Sequence, residues 1–200
     1  MQSIEKQIKE KISQRNRGVL LFPEDFNVLG SSEAVRLSLH RLEKKGFIKR
    51  VTKGIYLRPR TSEYIGEVIP TAEAIAQGIA KRDKIRIVPT GVYALHALGL
   101  STQIPMNLVF LTDGSPRKIK LGKRSIKLKK TTPKNLLARG EISSLVIQAL
   151  REIGKGKLFE SEDRIVLKLL KKENEKDLIH DIQLAPVWIQ KIMQKARKDG

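Results

Sequence analysis

Two hundred residues, 40% of them hydrophobic, are enough for one large or two small domains with a buried core. The formal net charge is +19 and cysteine is absent, which removes disulfides, thiol nucleophiles and cysteine-bound zinc from consideration. No apolar run approaches the roughly 20 residues that cross a bilayer, and the N-terminus lacks the apolar core of a signal peptide, so the expectation is a cytoplasmic protein without a membrane partner.

Ile4, Ile8 and Ile12 recur at i, i+4 and i+8 among charged residues and predict a first helix. Gly18 and the run Val19-Leu20-Leu21-Phe22 then read as a short strand, and Pro23-Glu24-Asp25-Phe26 as a helical turn. The next segment, SSEAVRLSLHRLEKKGFIKRVTKGIY from Ser31 to Tyr56, is the most informative in the chain. Ala34, Val35, Ser38, Leu39 and Leu42 fall on one side of a helix of period 3.6, while Arg36, His40, Arg41 and Lys44 fall largely on the other. Ser31 or Ser32 can cap its start, and Gly46 suits the left-handed position that ends it. Phe47 to Val51 and Ile55 to Leu57 are rich in strand formers, with Thr52-Lys53-Gly54 as the turn between them.

Helix, short strand, helical turn, second helix and basic hairpin is the order of a winged helix-turn-helix, expected over residues 1–60. Ser32, Arg36, His40, Arg41 and Lys44 are then the candidate contacts in the major groove of double-stranded DNA, and Lys49, Arg50 and Lys53 the contacts to the flanking backbone. Residues 61–200 are expected to form a mixed α/β C-terminal domain with a basic β-hairpin and a helical end, which makes the whole chain α+β. Within it, a helix is expected from Pro70-Thr71 to about Lys81, a strand at Ile85 to Val88, a helix at Thr90 to Leu98 and a buried strand at Leu108 to Leu111.

Charge is unevenly distributed. Residues 1–60 hold 14 Lys and Arg against 6 Asp and Glu, and residues 111–140 hold 10 against 1. The second excess centres on Arg117, Lys118, Lys120, Lys123, Arg124, Lys127, Lys129 and Lys130. Ile119, Leu121, Ile126 and Leu128 alternate with these cations around Leu121-Gly122-Lys123-Arg124, the pattern of a hairpin with one packed and one basic side. Both patches point to a polyanion. An RNA-binding or structural adaptor that uses the hairpin 116–130 is the alternative to a DNA-binding protein.

The signs of catalysis are missing. His40, His96 and His180 have no ligand-like spacing, Asp113-Gly114 reads as a tight turn between strands, and neither GxxxxGK[ST] nor GxGxxG occurs. The expectation is a protein that is not an enzyme and uses no metal or cofactor. Gly154-Lys155-Gly156-Lys157 reads as a break between helices. The last sixty residues carry helical stripes, including Val146, Ala149 and Leu150, then Val166 and Leu170, and a final helix from Pro186 that contains Trp188 and Ile189.

The wing KRVTKGIYLRP, Pro89-Thr90-Gly91, the run Leu98 to Pro105 and Leu111-Thr112-Asp113-Gly114 resemble bacterial proteins related to the AbiEi antitoxin of type IV toxin-antitoxin and abortive-infection systems. The resemblance covers about residues 1 to 135. It implies an N-terminal winged helix that represses its own operon, and a C-terminal domain that neutralises a nucleotidyltransferase-like toxin without obligatory direct binding. The expected state is a monomer or weak dimer.

Overall fold

The computed structural model describes residues 2–64 and 66–198. It is a mixed α+β structure that forms two compact units, Met1–Gly78 and Ile79–Gly200.

In the first unit, helix α1 (Ile4–Ser13) starts at Ser3, whose hydroxyl accepts from the Lys6 amide, and buries Ile8 and Ile12. Strand β1 (Leu20–Leu21) and a 3-10 segment, Pro23–Leu29, follow. Asp25 fixes the entry to that segment by accepting from the Phe22 amide at 3.2 Å and from Arg15 Nη1 at 2.7 Å. Helix α2 (Ser32–Lys44) buries Val35, Ser38, Leu39 and Leu42. Of the two serines that could cap it, Ser31 does so, accepting from the Ala34 amide at 3.3 Å; Ser32 is therefore left exposed in the first turn.

The helix stops at Gly46, where φ is +70° and no Cβ has to be accommodated. Strands β2 (Lys49–Thr52) and β3 (Ile55–Leu57) then form an antiparallel hairpin whose register shifts between Arg50 and Thr52. Because β1 also pairs with β3, the sheet order is β1-β3-β2. The core of this unit joins Ile8 and Ile12 of α1, Leu21, Phe26, the apolar face of α2, Ile48 and Tyr56.

A second hairpin follows, β4 (Arg60–Ser62) with β5 (Gly66–Val68). It has no counterpart in the sequence reading, since Arg-Thr-Ser and Gly-Glu-Val carry no apolar alternation. It explains why the first unit extends past residue 60. Arg60 Nε donates to the Arg17 carbonyl at 2.6 Å, and Lys49 Nζ reaches Glu67 at 2.6 Å. Helix α3 (Ala72–Asp83) contributes Gly78, where a Cβ would come within 2.5 Å of Leu20 Cδ1. The unit boundary therefore falls inside α3.

The second unit holds a sheet of order β6-β7-β9-β8, made of β6 (Ile87–Pro89), β7 (Asn107–Thr112), β8 (Arg117–Leu121) and β9 (Arg124–Lys130). Strands β7 and β9 are parallel; the other two pairings are antiparallel. Asp113-Gly114 thus links β7 to β8 without making them hairpin partners, because β9 lies between them. Asp113 is used differently: it accepts from the Arg86 amide at 2.8 Å and Arg86 Nε at 2.9 Å. These bonds hold the Asp113 carboxyl below its ordinary pKa, outweighing the opposing effect of desolvation.

Helix α4 (Gly91–Ala97) begins at a glycine that the fold requires. Its φ is +49°, and a Cβ there would lie 2.6 Å from a Glu152 carboxylate oxygen. Helices α5 (Glu141–Ile153), α6 (Glu160–Leu170), α7 (Glu175–Leu184) and α8 (Val187–Lys198) complete the unit. Their core joins Ala94, Val146, Leu150, Val166, Leu170, Leu178, Ile189 and Met193, with Trp188 packed against it.

The N-terminus of α5 is held by two carboxylates distant in sequence. Asp181, fully buried, accepts from the amides of Arg139 and Gly140 and from the Ser143 hydroxyl at 2.5 Å; His180 Nδ1 lies 2.8 Å from its other oxygen. Glu173 accepts from the Ser143 amide at 2.9 Å. These acceptors satisfy donors that a helix start leaves without intrahelical partners.

Candidate nucleic-acid interface

Helix α2 divides as its periodicity requires. Val35, Ser38, Leu39 and Leu42 face the core, and Ser32, Arg36, His40, Arg41 and Lys44 are all exposed. His40 Nδ1 lies 3.5 Å from Glu43 of the same helix. Leu37, which the sequence reading did not single out, is half exposed and lies among these cations at i+3 from Ala34 and i−4 from Arg41. An apolar residue on a helix is ordinarily assigned to the core. Only the observed packing shows that Leu37 is left outside it.

The hairpin places Lys53 exposed in its turn beside Gly54, whose φ is +75°. Arg50 is exposed on β2, opposite the buried Tyr56. Lys49 is also exposed, but its charge is engaged by Glu67 of the second hairpin. Tyr64, near the tip of that second hairpin, is 94% exposed.

The second patch lies on β8, β9 and their turn. Lys118 pairs directly with Lys127, and Lys120 with Ser125, so strand alternation puts Lys118, Lys120, Lys127 and Lys129 on one face. All four are exposed. The opposite face carries Ile119 and the buried Ile126 and Leu128. The other four cations are dispersed. Arg117 pairs with Asp83, Lys123 lies in the turn, and Arg124 and Lys130 end β9. For Asp83, desolvation raises the pKa, but hydrogen bonds and charge from Arg82 and Arg117 outweigh it and hold the carboxyl below its ordinary value.

Like charges directly opposite in an antiparallel pair destabilise a sheet by a fraction of a kcal/mol, and no acid interrupts the lysine face. Among the described residues none of the four lysines forms an ion pair. The chemistry available here is attraction of a polyanion without base readout. On α2, by contrast, arginine forks, a histidine and an apolar side chain offer donors and contact surface of different kinds. No group of three or more His, Asp or Glu residues among the described residues could hold a metal ion.

These features define a mixed α+β protein with a basic helix and hairpin in one unit and a lysine-faced sheet in the other. By sequence the chain belongs to a family of unknown function, DUF6088, which matches residues 7–178. A search of curated proteins finds no match. Among solved structures it is similar to the crystal structure of the RV2827C protein from Mycobacterium tuberculosis, at 12% identity and a TM-score of 0.47, covering 98% of this chain and 82% of that one.

Proposed function

We propose that the first unit is a winged helix-turn-helix and that the protein is a sequence-specific DNA-binding repressor, acting on its own promoter and serving as the antitoxin of a type IV toxin-antitoxin pair. The observation that carries the DNA-reading part is the division of α2. A buried apolar stripe anchors the helix, and the exposed side presents Arg36, His40, Arg41 and Lys44 next to a hairpin tipped by Lys53. In this reading α2 enters the major groove, where Arg36 or Arg41 can grip a guanine through two hydrogen bonds and Leu37 can meet a thymine methyl. Arg50 and Lys53 hold the adjoining phosphates. The antitoxin role rests on the resemblance of residues 1–135 to AbiEi-related proteins, and the functional partner it implies is a nucleotidyltransferase-like toxin.

The lysine face of β8 and β9 supports a second reading, in which the main contact is to RNA or another polyanion through the hairpin. Binding of the full chain to its own upstream DNA and to an unrelated duplex, at about 50 and 200 mM salt, separates the two, because phosphate contacts lose most of their affinity over that range. A preference for upstream DNA that survives the higher salt supports base readout. Equal binding that collapses with salt sinks it and favours the lysine face.

A further inference from the structure

We propose that α5, with the 3-10 segment Pro133–Leu136 and α7, forms a binding site for a single phosphate group. The site lies wholly in the second unit and does not depend on the DNA-reading proposal. Its open cleft is lined by Lys134, Asn135, Ser144, Gln148 and Arg151, over an apolar floor that includes Ile147 and Leu184.

Three observations converge on an anion. First, Arg151 is partly buried, yet its one hydrogen bond to the protein is to the neutral Asn135 side chain, at 2.9 Å, and it forms no ion pair among the described residues. Partial burial lowers its pKa, as expected for a charge that has lost water without gaining a counter-ion. Asn135 is itself fixed, donating to Thr131 at 2.8 Å and Thr132 at 3.3 Å, so it orients the guanidinium without neutralising it.

Second, Gln148 is only 6% exposed and its amide makes no hydrogen bond among the described residues. The amide lines the cleft, where a ligand can reach it. Third, Ser144, Gln148 and Arg151 are spaced i, i+4 and i+7, which brings them to one side of α5. Lys134 adds a second cation from the 3-10 segment, and no carboxylate lines the cleft. A guanidinium fork with free donors, an ammonium, a hydroxyl and an amide match a phosphate's several acceptor oxygens.

The test is a titration of the 15N-labelled full chain with inorganic phosphate at constant ionic strength, with chloride as the control ion. Saturable amide shifts confined to residues 134–151 are expected, together with about a tenfold loss of affinity in Arg151→Lys, which keeps the charge but not the fork. Shifts no larger than with chloride, or an Arg151→Lys protein that binds like wild type, overturn the site. If Arg151→Lys fails to fold, Gln148→Leu, which removes the unbonded amide at similar volume, carries the test: weakened binding supports the site and unchanged binding overturns it. Separate arms with adenosine monophosphate and a short unrelated duplex identify the source. Saturation by the mononucleotide assigns a free phosphate ester, whereas response to the duplex but to neither small ligand overturns a site for one group.

Discussion

The two basic surfaces carry similar charge on different scaffolds. On α2 the cations share the helix with Glu33 and Glu43, and nearby charges are partly spent within the unit, Lys45 on Glu5 at 2.5 Å and Lys49 on Glu67. On β8 and β9 four lysines share one face with no acid among them. Successive lysines on one strand face lie roughly 7 Å apart, near twice the 3.4 Å rise of a nucleic-acid strand. The helix offers varied side chains that can distinguish bases, and the sheet offers repeated charge that cannot. Net charge alone would have ranked the second patch higher.

The largest expected effect bears on the scaffold of the lysine sheet. Asp181→Ala leaves the Arg139 and Gly140 amides without their acceptor and the Ser143 hydroxyl with only the Gly140 carbonyl at 3.3 Å, and is expected to destabilise the second unit by about 3 kcal/mol. Chemical denaturation followed by fluorescence of Trp188, the sole tryptophan of the chain, measures it. A loss below about 1 kcal/mol would show that water replaces the carboxylate.

The next test acts on the comparison itself. Under the DNA-reading proposal, replacing Lys118, Lys120, Lys127 and Lys129 together by Gln is expected to reduce the slope of log affinity against log salt by up to about 3 to 4 for duplex DNA, while a preference for the upstream DNA persists. Arg36→Ala is expected to do the reverse, costing about 1 to 3 kcal/mol of discrimination between operator and unrelated DNA with a slope change of about 1 at most. If both variants alter slope and preference alike, the division of labour between the surfaces is wrong.

A smaller effect needs no ligand. Lys127→Gln relieves the direct pairing with Lys118 and is expected to stabilise the second unit by a few tenths of a kcal/mol at low salt, a gain that fades as salt screens the pair. The last prediction concerns acid. Asp83 and Asp113 titrate below their ordinary value of 3.8 in the folded chain. Their stabilisation is therefore complete above that value and is lost as pH falls through the lowered folded values. Asp83→Asn is expected to flatten the acid limb of a stability-pH curve below about pH 4 and to leave its shape at neutral pH unchanged.

Local signals placed most of the elements. The spacing of Ile8 and Ile12, of Val35, Leu39 and Leu42, and the alternation in β8 and β9 are fixed by how each backbone distributes its side chains, whatever they pack against. For the same reason the exposed set on α2 is legible in the sequence alone. The sequence also left two serines open as the cap of α2; the structure selected Ser31 and so exposed Ser32.

What tertiary structure alone decided depends on residues far apart in the chain. Strand β9 inserts between β7 and β8, so a turn that reads locally as a hairpin connects strands that do not pair. Hairpin β4-β5 extends the first unit through bonds from Arg60 to Arg17 and from Lys49 to Glu67, which no local pattern announces. Leu37 is left outside the core, Asp181 closes a helix start some forty residues earlier, and the partly buried Arg151 lies beside an asparagine rather than an acid. Periodicity fixes which way a side chain points relative to its own element. Which partner it meets there is set by packing between elements, and the sequence by itself carries that information only jointly.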